Sequence, residues 1–179
     1  MVVMFLAKGF EETEAIMPLD LIRRAGIDIK TVSIDENIYV TGSHGITVKA
    51  DMTVDQLGDE KPEMVILPGG PGTENLDNSQ FVKDYVVKSY NNGSLLAAIC
   101  AAPMVFGKLG LLEGKLAACY PGYEKYLYGA KIRQGTVMED RIITSRGIAE
   151  AYDFAYSVIA ALKNKKTADD VSRATLFLS

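Results

Sequence analysis

The sequence predicts an α/β sandwich with a mostly parallel sheet, formed by a single domain over residues 1–179. Continuous apolar runs, typical of strands covered on both faces, alternate along the chain with segments whose apolar residues have helical spacing. The length is enough for one sizeable core. One apolar run stops at Cys100, and small residues and a proline lead from it into the next helical segment. This pattern indicates a buried strand that turns sharply into a helix, with a thiol at the turn.

The N-terminal half begins with a strand–helix–strand unit, which implies a parallel, right-handed crossover. Acidic residues in the first turn and apolar residues at helical spacing predict the helix, which Gly26 ends. We expect Pro18 either in the first turn of this helix or at a slight kink. The predicted elements of this half are a strand (2–7), a helix (11–24), a strand (27–34), two short strands about a glycine-flanked turn (40–48) and a polar loop (51–57).

The C-terminal half continues the alternation. Its first strand ends in a glycine-rich turn, 68–73, whose backbone can come close to a ligand or a neighbouring loop. The turn lacks the spacing of the phosphate-binding glycine motifs, so nucleotide binding is not expected. The predicted elements are a strand (64–67), a helix (81–90), a strand (95–99), a helix (104–109), a short strand (115–120), two strands (131–137 and 141–144) and two helices (148–162 and 168–174).

Composition argues against several classes of protein. The formal net charge of −4 disfavours a nucleic-acid partner, which would need a basic face. Membrane insertion is not expected, because Lys8 interrupts the N-terminal apolar run and no other run could span a bilayer. The N-terminal run also lacks the basic leader of a signal peptide, so we expect a cytoplasmic protein.

The thiols and the imidazole are too few for the common structural sites. Cys100 and Cys119 are the two cysteines, which do not make the disulfide framework of a secreted domain. His44 is the single histidine, so a structural zinc site is not expected either.

Three loops lie where a site is expected. In a parallel sheet, sites form at the carboxyl ends of strands, and the loops after Ala7, Leu67 and Ile99 all start there. The first offers acidic side chains, the second backbone N–H groups and the third a thiol. The topology therefore predicts that acids, backbone donors and Cys100 converge at one edge of the sheet.

Several motifs together resemble one known family, in order and over nearly the whole chain. They are Ala7–Glu14 (AKGFEETE), Ile22–Gly26 (IRRAG), Leu67–Gly70 (LPGG), Ala98–Pro103 (AICAAP) and Thr144–Gly147 (TSRG). Each motif alone would be a weak signal, whereas the set is highly specific. The sequence resembles the DJ-1/PfpI (ThiJ) superfamily, and most closely its DJ-1 branch.

The resemblance implies a flavodoxin-like three-layer sandwich, usually a homodimer, in which Cys100 is a nucleophile-elbow cysteine. Glu14 matches the acid that hydrogen-bonds this cysteine, and Gly70 and Ala101 match the backbone N–H donors that face the reactive centre. Activities reported for the family are glyoxalase III-type hydration of methylglyoxal to lactate, disputed deglycation of proteins or nucleotides, and sensing of oxidative stress. Some branches are proteases or chaperones.

The sequence departs from this family at one position. Many relatives have a histidine shortly after the strand that follows the elbow helix, where this chain has Tyr120. A phenol, with a reference pKa of about 10, is a poor general base, so a Cys-His protease is not expected. His44 falls in the loop where DJ-1 relatives carry an arginine; it could replace the base, bind an anionic group or be an ordinary turn residue. Gly69 could serve the site or only the turn.

The matched residues predict a specific chemistry. Glu14 and Cys100 would repel each other if both were ionised, so we expect a neutral Glu14 that donates a hydrogen bond to a Cys100 thiolate. The thiolate would attack a small aldehyde substrate, a 2-oxoaldehyde, with Glu14 as general acid and base and without metal or organic cofactor. Two alternatives need the same residues: a redox sensor or chaperone that acts through oxidation of Cys100 without turnover, and a non-catalytic small-molecule binder.

Overall fold

A computed structural model describes residues 1–58 and 61–177 and shows a seven-stranded sheet in the order β10-β11-β7-β6-β1-β2-β5. The strands are β1 (Val2–Leu6), β2 (Ile29–Ser33), β3 (Tyr39–Thr41), β4 (Thr47–Lys49), β5 (Met52–Thr53), β6 (Met64–Leu67), β7 (Leu95–Ile99), β8 (Leu116–Ala117), β9 (Lys131–Ile132), β10 (Val137–Glu139) and β11 (Ile142–Ser145). The helices are α1 (Glu12–Arg24), α2 (Thr73–Asn78), α3 (Gln80–Asn91), α4 (Pro103–Lys108), α5 (Ala151–Leu162) and α6 (Lys165–Ala174).

The sheet is parallel except at one edge, where β10 pairs with β11 in the antiparallel sense. Its five central strands, β2, β1, β6, β7 and β11, follow the spatial order of the flavodoxin-like fold. The predicted α/β sandwich with a mostly parallel sheet is therefore confirmed.

The two faces of the sheet form separate cores, because successive strand residues point to opposite sides. Met4 of β1 packs in a core with α1, α5 and α6, whereas its neighbour Phe5 packs in a core with α2, α3 and α4. Both side chains are fully buried. Helices thus cover both faces, and the edge at the carboxyl ends of the strands is left for loops.

The structure corrects several predicted elements. Segment 131–137 is not one strand, because β9 pairs with β8 in a separate two-stranded sheet. Strand β10 covers residues 137–139, of which 138 and 139 were predicted to lie between strands. Segment 51–57 contains the edge strand β5, and α2 was not predicted. The helix predicted from 148 begins with a 3-10 turn before α5, and α6 begins three residues earlier than predicted.

Pro18 lies well inside α1, buried against the core, and not in its first turn. No helix in the described part of the chain combines the length and the apolar character needed to cross a membrane.

Candidate active site

Cys100 lies at a sharp turn between β7 and α4. Its φ of 65° is in the left-handed region that non-glycine residues rarely adopt. Two backbone hydrogen bonds hold the turn: the N–H of Cys100 donates to the Ser145 carbonyl (2.9 Å), and the N–H of Tyr120 donates to the Cys100 carbonyl (2.7 Å). The residue retains 9% of its accessible surface. This is the geometry of a nucleophile elbow, in which a strained turn presents one side chain at the end of the sheet.

Glu14 reaches the same place from the first turn of α1. The Glu11 side chain caps this helix by accepting a hydrogen bond from the N–H of Glu14 (2.7 Å). The N–H of Glu11 in turn donates to the carbonyl of Gly69 (2.9 Å), which ties the start of α1 to the loop after β6. Glu14 is 1% exposed, so its carboxyl is almost completely removed from water.

Gly69 lies between the acid and the thiol. A Cβ at this position would lie 2.5 Å from the Cβ of Cys100 and would also overlap Oε2 of Glu14. Since a side chain at residue 69 would force these groups apart, the close approach of Glu14 to Cys100 depends on glycine here.

Backbone N–H groups of Gly70 and Ala101 face the Cys100 sulfur as hydrogen-bond donors. Gly70 has a φ of 89°, and a Cβ there would lie 2.5 Å from the Glu11 nitrogen. The loop after β6 can therefore follow this path only with glycine at residue 70. The structure brings Cys100, Glu14, Gly69, Gly70 and Ala101 together at one edge of the sheet.

Burial dominates the acid–base properties of the pair. It raises the pKa of Glu14 to about 7, because the carboxylate would lose its hydration there. Burial likewise raises the pKa of Cys100 to about 12; the charge of Glu14 adds to this rise, while the N–H groups of Gly70 and Ala101 oppose it. The pair therefore carries one negative charge over a broad range that begins near neutral pH.

The surroundings of the two groups decide where this charge resides. The sulfur faces two backbone donors, the N–H groups of Gly70 and Ala101. The Glu14 carboxyl faces one, the N–H of Gly69, and its Oε2 has no hydrogen-bond partner within the described residues. An anion is stabilised where donors point at it and destabilised where they are absent. Because the sulfur has more backbone donors than the carboxyl, we expect the proton on Glu14 and the charge on Cys100.

The raised pKa of Glu14 makes the stability of the fold depend on pH. The folded chain keeps a proton up to about pH 7 that the unfolded chain releases near pH 4.5. The stabilising contribution is thus complete below pH 4.5 and is lost as the pH rises through 7, a change of about 3 kcal/mol in the free energy of unfolding. Urea unfolding across this window should show the loss in the wild type and not in Glu14→Gln. Equal pH dependence in both proteins would contradict the raised pKa of Glu14.

A cavity of about 320 Å³ opens onto Cys100. It is lined by Gly70, Pro71, Glu74, Cys100, Ala101, Tyr120 and Tyr123. The rings of Tyr120 and Tyr123 meet edge to face, with centroids 6.5 Å apart. Tyr120 is half exposed, so it forms part of the cavity wall and of the cavity mouth. A molecule of a few heavy atoms can reach the sulfur by this route.

His44 is engaged elsewhere. Its ring Nδ1 lies 2.9 Å from Oε2 of Glu12, its backbone N–H donates to Oε1 of Glu12, and it is absent from the described cavity lining. Burial alone would raise the pKa of Glu12, but hydrogen bonds from the ring and backbone of His44 and from the backbone of Ile46 lower it to about 2. The carboxylate raises the pKa of His44. The pair thus anchors the β3–β4 turn to α1.

The same turn brings together three groups that could ligate a metal. Atoms of Glu11, Glu12 and His44 lie within 4.8 Å of one another. Each carboxylate already accepts hydrogen bonds, Glu11 from the N–H of Glu14 and Glu12 from His44 and Ser43. Since these bonds satisfy the acids, the cluster has a structural explanation.

Three residues of the cavity wall were not predicted as site residues: Pro71, Glu74 and Tyr123. Pro71 lies within the predicted glycine-rich turn 68–73. Glu74 follows the glycine-rich loop after β6, which was placed at the site edge, so its position in the chain was a usable signal. Tyr123 follows the turn at 121–122. The path of that turn brings Tyr123 to the cavity, and no pattern in the sequence predicts this path.

Comparison with known proteins agrees with this geometry. The family model described as DJ-1/PfpI family matches residues 1–161. The chain belongs to the DJ-1/PfpI family. It is 35% identical over 175 residues to protein dj-1beta of Drosophila melanogaster, a match that covers 96% of this chain and 94% of that protein.

Other relatives include two longer plant proteins and one protein that is named for an enzymatic activity. DJ-1 homolog B of Arabidopsis thaliana is 36% identical over 171 residues, but the chain spans only 39% of this longer protein. The second Arabidopsis relative is likewise matched over less than half of its length, 45%. A Pyrococcus horikoshii protein named a deglycase is 28% identical over 167 residues, with 91% of this chain and all of that protein covered.

Solved structures of the DJ-1 family have the same fold. A DJ-1 superfamily protein from Salmonella typhimurium superposes with a TM-score of 0.93 at 31% identity, covering 98% of this chain and 97% of that chain. Toxoplasma gondii DJ-1, described as oxidized, gives a TM-score of 0.93 at 32% identity with the same coverage. The flavodoxin-like fold of this family member is thereby confirmed.

Proposed function

We propose that this DJ-1/PfpI family member converts reactive 2-oxoaldehydes into 2-hydroxy acids, as in the glyoxalase III-type conversion of methylglyoxal to lactate, without metal or organic cofactor. The observation that carries the proposal is the buried Glu14–Cys100 pair with backbone donors from Gly70 and Ala101. The relative named a deglycase supports the class of chemistry and extends it to adducts of such aldehydes.

The reaction begins with the Cys100 thiolate. The sulfur attacks the aldehyde carbon, a C–S bond forms, and the carbonyl electron pair moves onto oxygen. The N–H groups of Gly70 and Ala101 are placed to stabilise this oxyanion, which takes the proton of Glu14 to give a hemithioacetal. Glu14 is now a carboxylate and can act as a base.

Glu14 then moves a proton between the two carbons. Its carboxylate takes the proton from the carbon bonded to sulfur, which gives an enediolate, and returns it to the neighbouring carbon. The hydroxyl proton of the former aldehyde oxygen passes to the other oxygen, which leaves a 2-hydroxy thioester. Water hydrolyses the thioester, releasing the 2-hydroxy acid and the thiol. One aldehyde and one water give one acid, so no external oxidant or reductant is consumed.

Lactate formation from methylglyoxal tests this proposal. Purified protein is expected to form D- or L-lactate, whereas a Cys100→Ser variant should form none above the uncatalysed rate, because the alcohol lacks an accessible anionic form. Enzymatic assays specific for each enantiomer give the rate and the stereochemistry. Wild-type protein that produces no lactate above the Cys100→Ser control would rule the proposal out.

A redox sensor is the second candidate. The partly accessible sulfur with two backbone donors, and a structural neighbour described as oxidized, favour it. Peroxide would oxidise the thiolate to sulfenate and then sulfinate, which the same donors could hold. Mass spectrometry after mild peroxide treatment distinguishes the candidates: selective addition of two oxygens to Cys100, in protein that does not turn over aldehydes, supports the sensor.

We further propose a homodimer that works in the cytoplasm. Two apolar residues of α1, Ile16 and Met17, are more than a third exposed, and Ile46 in the adjoining turn is more than half exposed. Such residues are common at subunit contacts. The two cysteines are unpaired, as suits a reducing compartment. Sedimentation equilibrium is expected to give twice the chain mass of 19.5 kDa.

A further inference from the structure

The Cys100 cavity adjoins a second, larger groove. This outer groove has a volume of about 480 Å³ and shares Glu74 and Tyr123 with the Cys100 cavity. Its wall also contains Asp77, Lys108, Lys125 and Tyr126. A substituent attached to an aldehyde at the sulfur would therefore pass Glu74 on its way into the outer groove.

Glu74 is the charged residue of this passage. Among the described residues that line the inner cavity, Glu74 is the one with a carboxylic acid side chain, and none is a lysine, arginine or histidine. Asp77 is neutralised by an ion pair with Lys108, with Nζ 2.5 Å from Oδ2. Within residues 1–58 and 61–177, Glu74 has no such partner. The inner cavity thus has on its wall an exposed carboxylate that no described cation pairs with.

The rest of the inner wall strengthens the effect of this charge. Pro71, Ala101 and the two tyrosine rings form a mainly apolar surface around the passage. Low-dielectric walls concentrate the field of a charge inside a cleft. A carboxylate on an incoming molecule would therefore be repelled, whereas a neutral or cationic substituent would not.

We propose that Glu74 is a specificity-determining residue that makes the Cys100 site select aldehydes with neutral or positively charged substituents against those that carry a carboxylate. The substrate class rests on the function proposed above; the charge selection itself is a property of the cysteine site. Glu74 also lies in the first turn of α2, where an acid stabilises the helix. The test must therefore use a quantity that helix stability does not change.

The ratio of two alkylation rates is such a quantity. Iodoacetamide is neutral and iodoacetate is anionic, and both transfer a similar group to the same sulfur with loss of iodide. Because both reagents react with the same thiolate, the ratio of their rates at Cys100 does not depend on the nucleophilicity of the sulfur. The ratio therefore reports the local charge. The Cys100 peptide is followed by mass spectrometry at low ionic strength in the wild type, Glu74→Gln and Glu113→Gln. Glu113 is an exposed acid in the loop after α4 and outside both described cavity linings, so it is the matched control.

Glu74→Gln is expected to raise the rate with iodoacetate relative to iodoacetamide by about three- to tenfold, and Glu113→Gln should leave the ratio unchanged. In the wild type, added salt should speed iodoacetate more than iodoacetamide, and this difference should shrink in Glu74→Gln. An unchanged ratio in Glu74→Gln, or a salt effect of equal size for both reagents, would overturn the proposal.

Alkylation requires no turnover, so its result is independent of the proposed function. If lactate forms, kcat/KM for methylglyoxal relative to 4,5-dioxopentanoate, a 2-oxoaldehyde whose substituent carries a carboxylate, should fall in Glu74→Gln by a similar factor. If no lactate forms but the alkylation ratio shifts as expected, charge selection by Glu74 stands and the proposed function fails. If lactate forms and both ratios are unchanged, the proposed function stands and the inference on Glu74 is wrong.

Discussion

Replacing Glu14 with Gln is expected to lower the rate of lactate formation by about 10²- to 10⁴-fold, the usual contribution of a positioned general acid and base. The amide has nearly the volume of the carboxyl and can still donate a hydrogen bond to the sulfur, but it cannot take a proton from carbon. Steady-state kinetics with methylglyoxal measure the effect. The fall should appear in kcat, because Glu14 is needed after the thiol has bound the aldehyde.

The Glu14→Gln protein should remain folded. Oε2 of Glu14 has no partner to lose among the described residues, and a neutral amide is buried at lower cost than a carboxylate. Circular dichroism and urea unfolding check this. Glu113→Gln, which makes the same chemical change at an exposed residue, should keep the wild-type rate. Wild-type turnover by Glu14→Gln would mean that another group moves the proton.

A Gly69→Ala substitution is expected to have the second large effect, a loss of about 10²-fold or more in kcat/KM. The new methyl group would enter the space between Cys100 and Glu14, where it would lie 2.5 Å from the Cβ of Cys100. Overpacking of this kind usually costs about 1–3 kcal/mol in stability, and small displacements of reacting groups cost large factors in rate. Kinetics and urea unfolding on the same preparation separate the two effects.

Gly58→Ala is the matched control for this substitution. A methyl group added at Gly58 would have no atom of the described residues within 4 Å, and the φ of Gly58 is not positive. The change should therefore leave both activity and stability close to wild type. If Gly69→Ala also retained wild-type kinetics, the close contact of Glu14 with Cys100 would not be needed for the reaction.

The sequence predicted the parts of the fold that burial dictates. Short, continuous apolar runs such as Met64–Leu67 and Leu95–Ile99 form strands that helices cover on both faces of the sheet, as predicted. Helix α2 was missed because its sequence, TENLDN, buries only Thr73 and Leu76 and so has no clear apolar face. The division of segment 131–137 follows from the tight turn at Gly135, whose φ is 73°, and not from hydrophobicity.

The candidate site was predictable to the extent that topology places it. The carboxyl ends of β1, β6 and β7 had to meet at one edge, so acidic side chains, backbone N–H groups and Cys100 were expected together. The family resemblance singled out Glu14 among the acids and Gly70 among the donors. The role of Gly69 as the spacer between acid and thiol depends on atomic packing, which spacing along the chain does not report. His44 was considered as a residue of the site. Its ring instead pairs with Glu12 at the start of α1, so it is not among the described residues that line the cavity.

The position of the shared proton tests the proposed mechanism most directly. The ultraviolet absorbance of the thiolate should be followed against pH in the wild type, Glu14→Gln and Cys100→Ser. We expect the wild type to gain thiolate absorbance with a midpoint near pH 7, where the pair loses its first proton, and Cys100→Ser to lack this transition. If the thiolate appeared only near pH 12, the charge at neutral pH would reside on Glu14, and a resting thiolate nucleophile would be excluded.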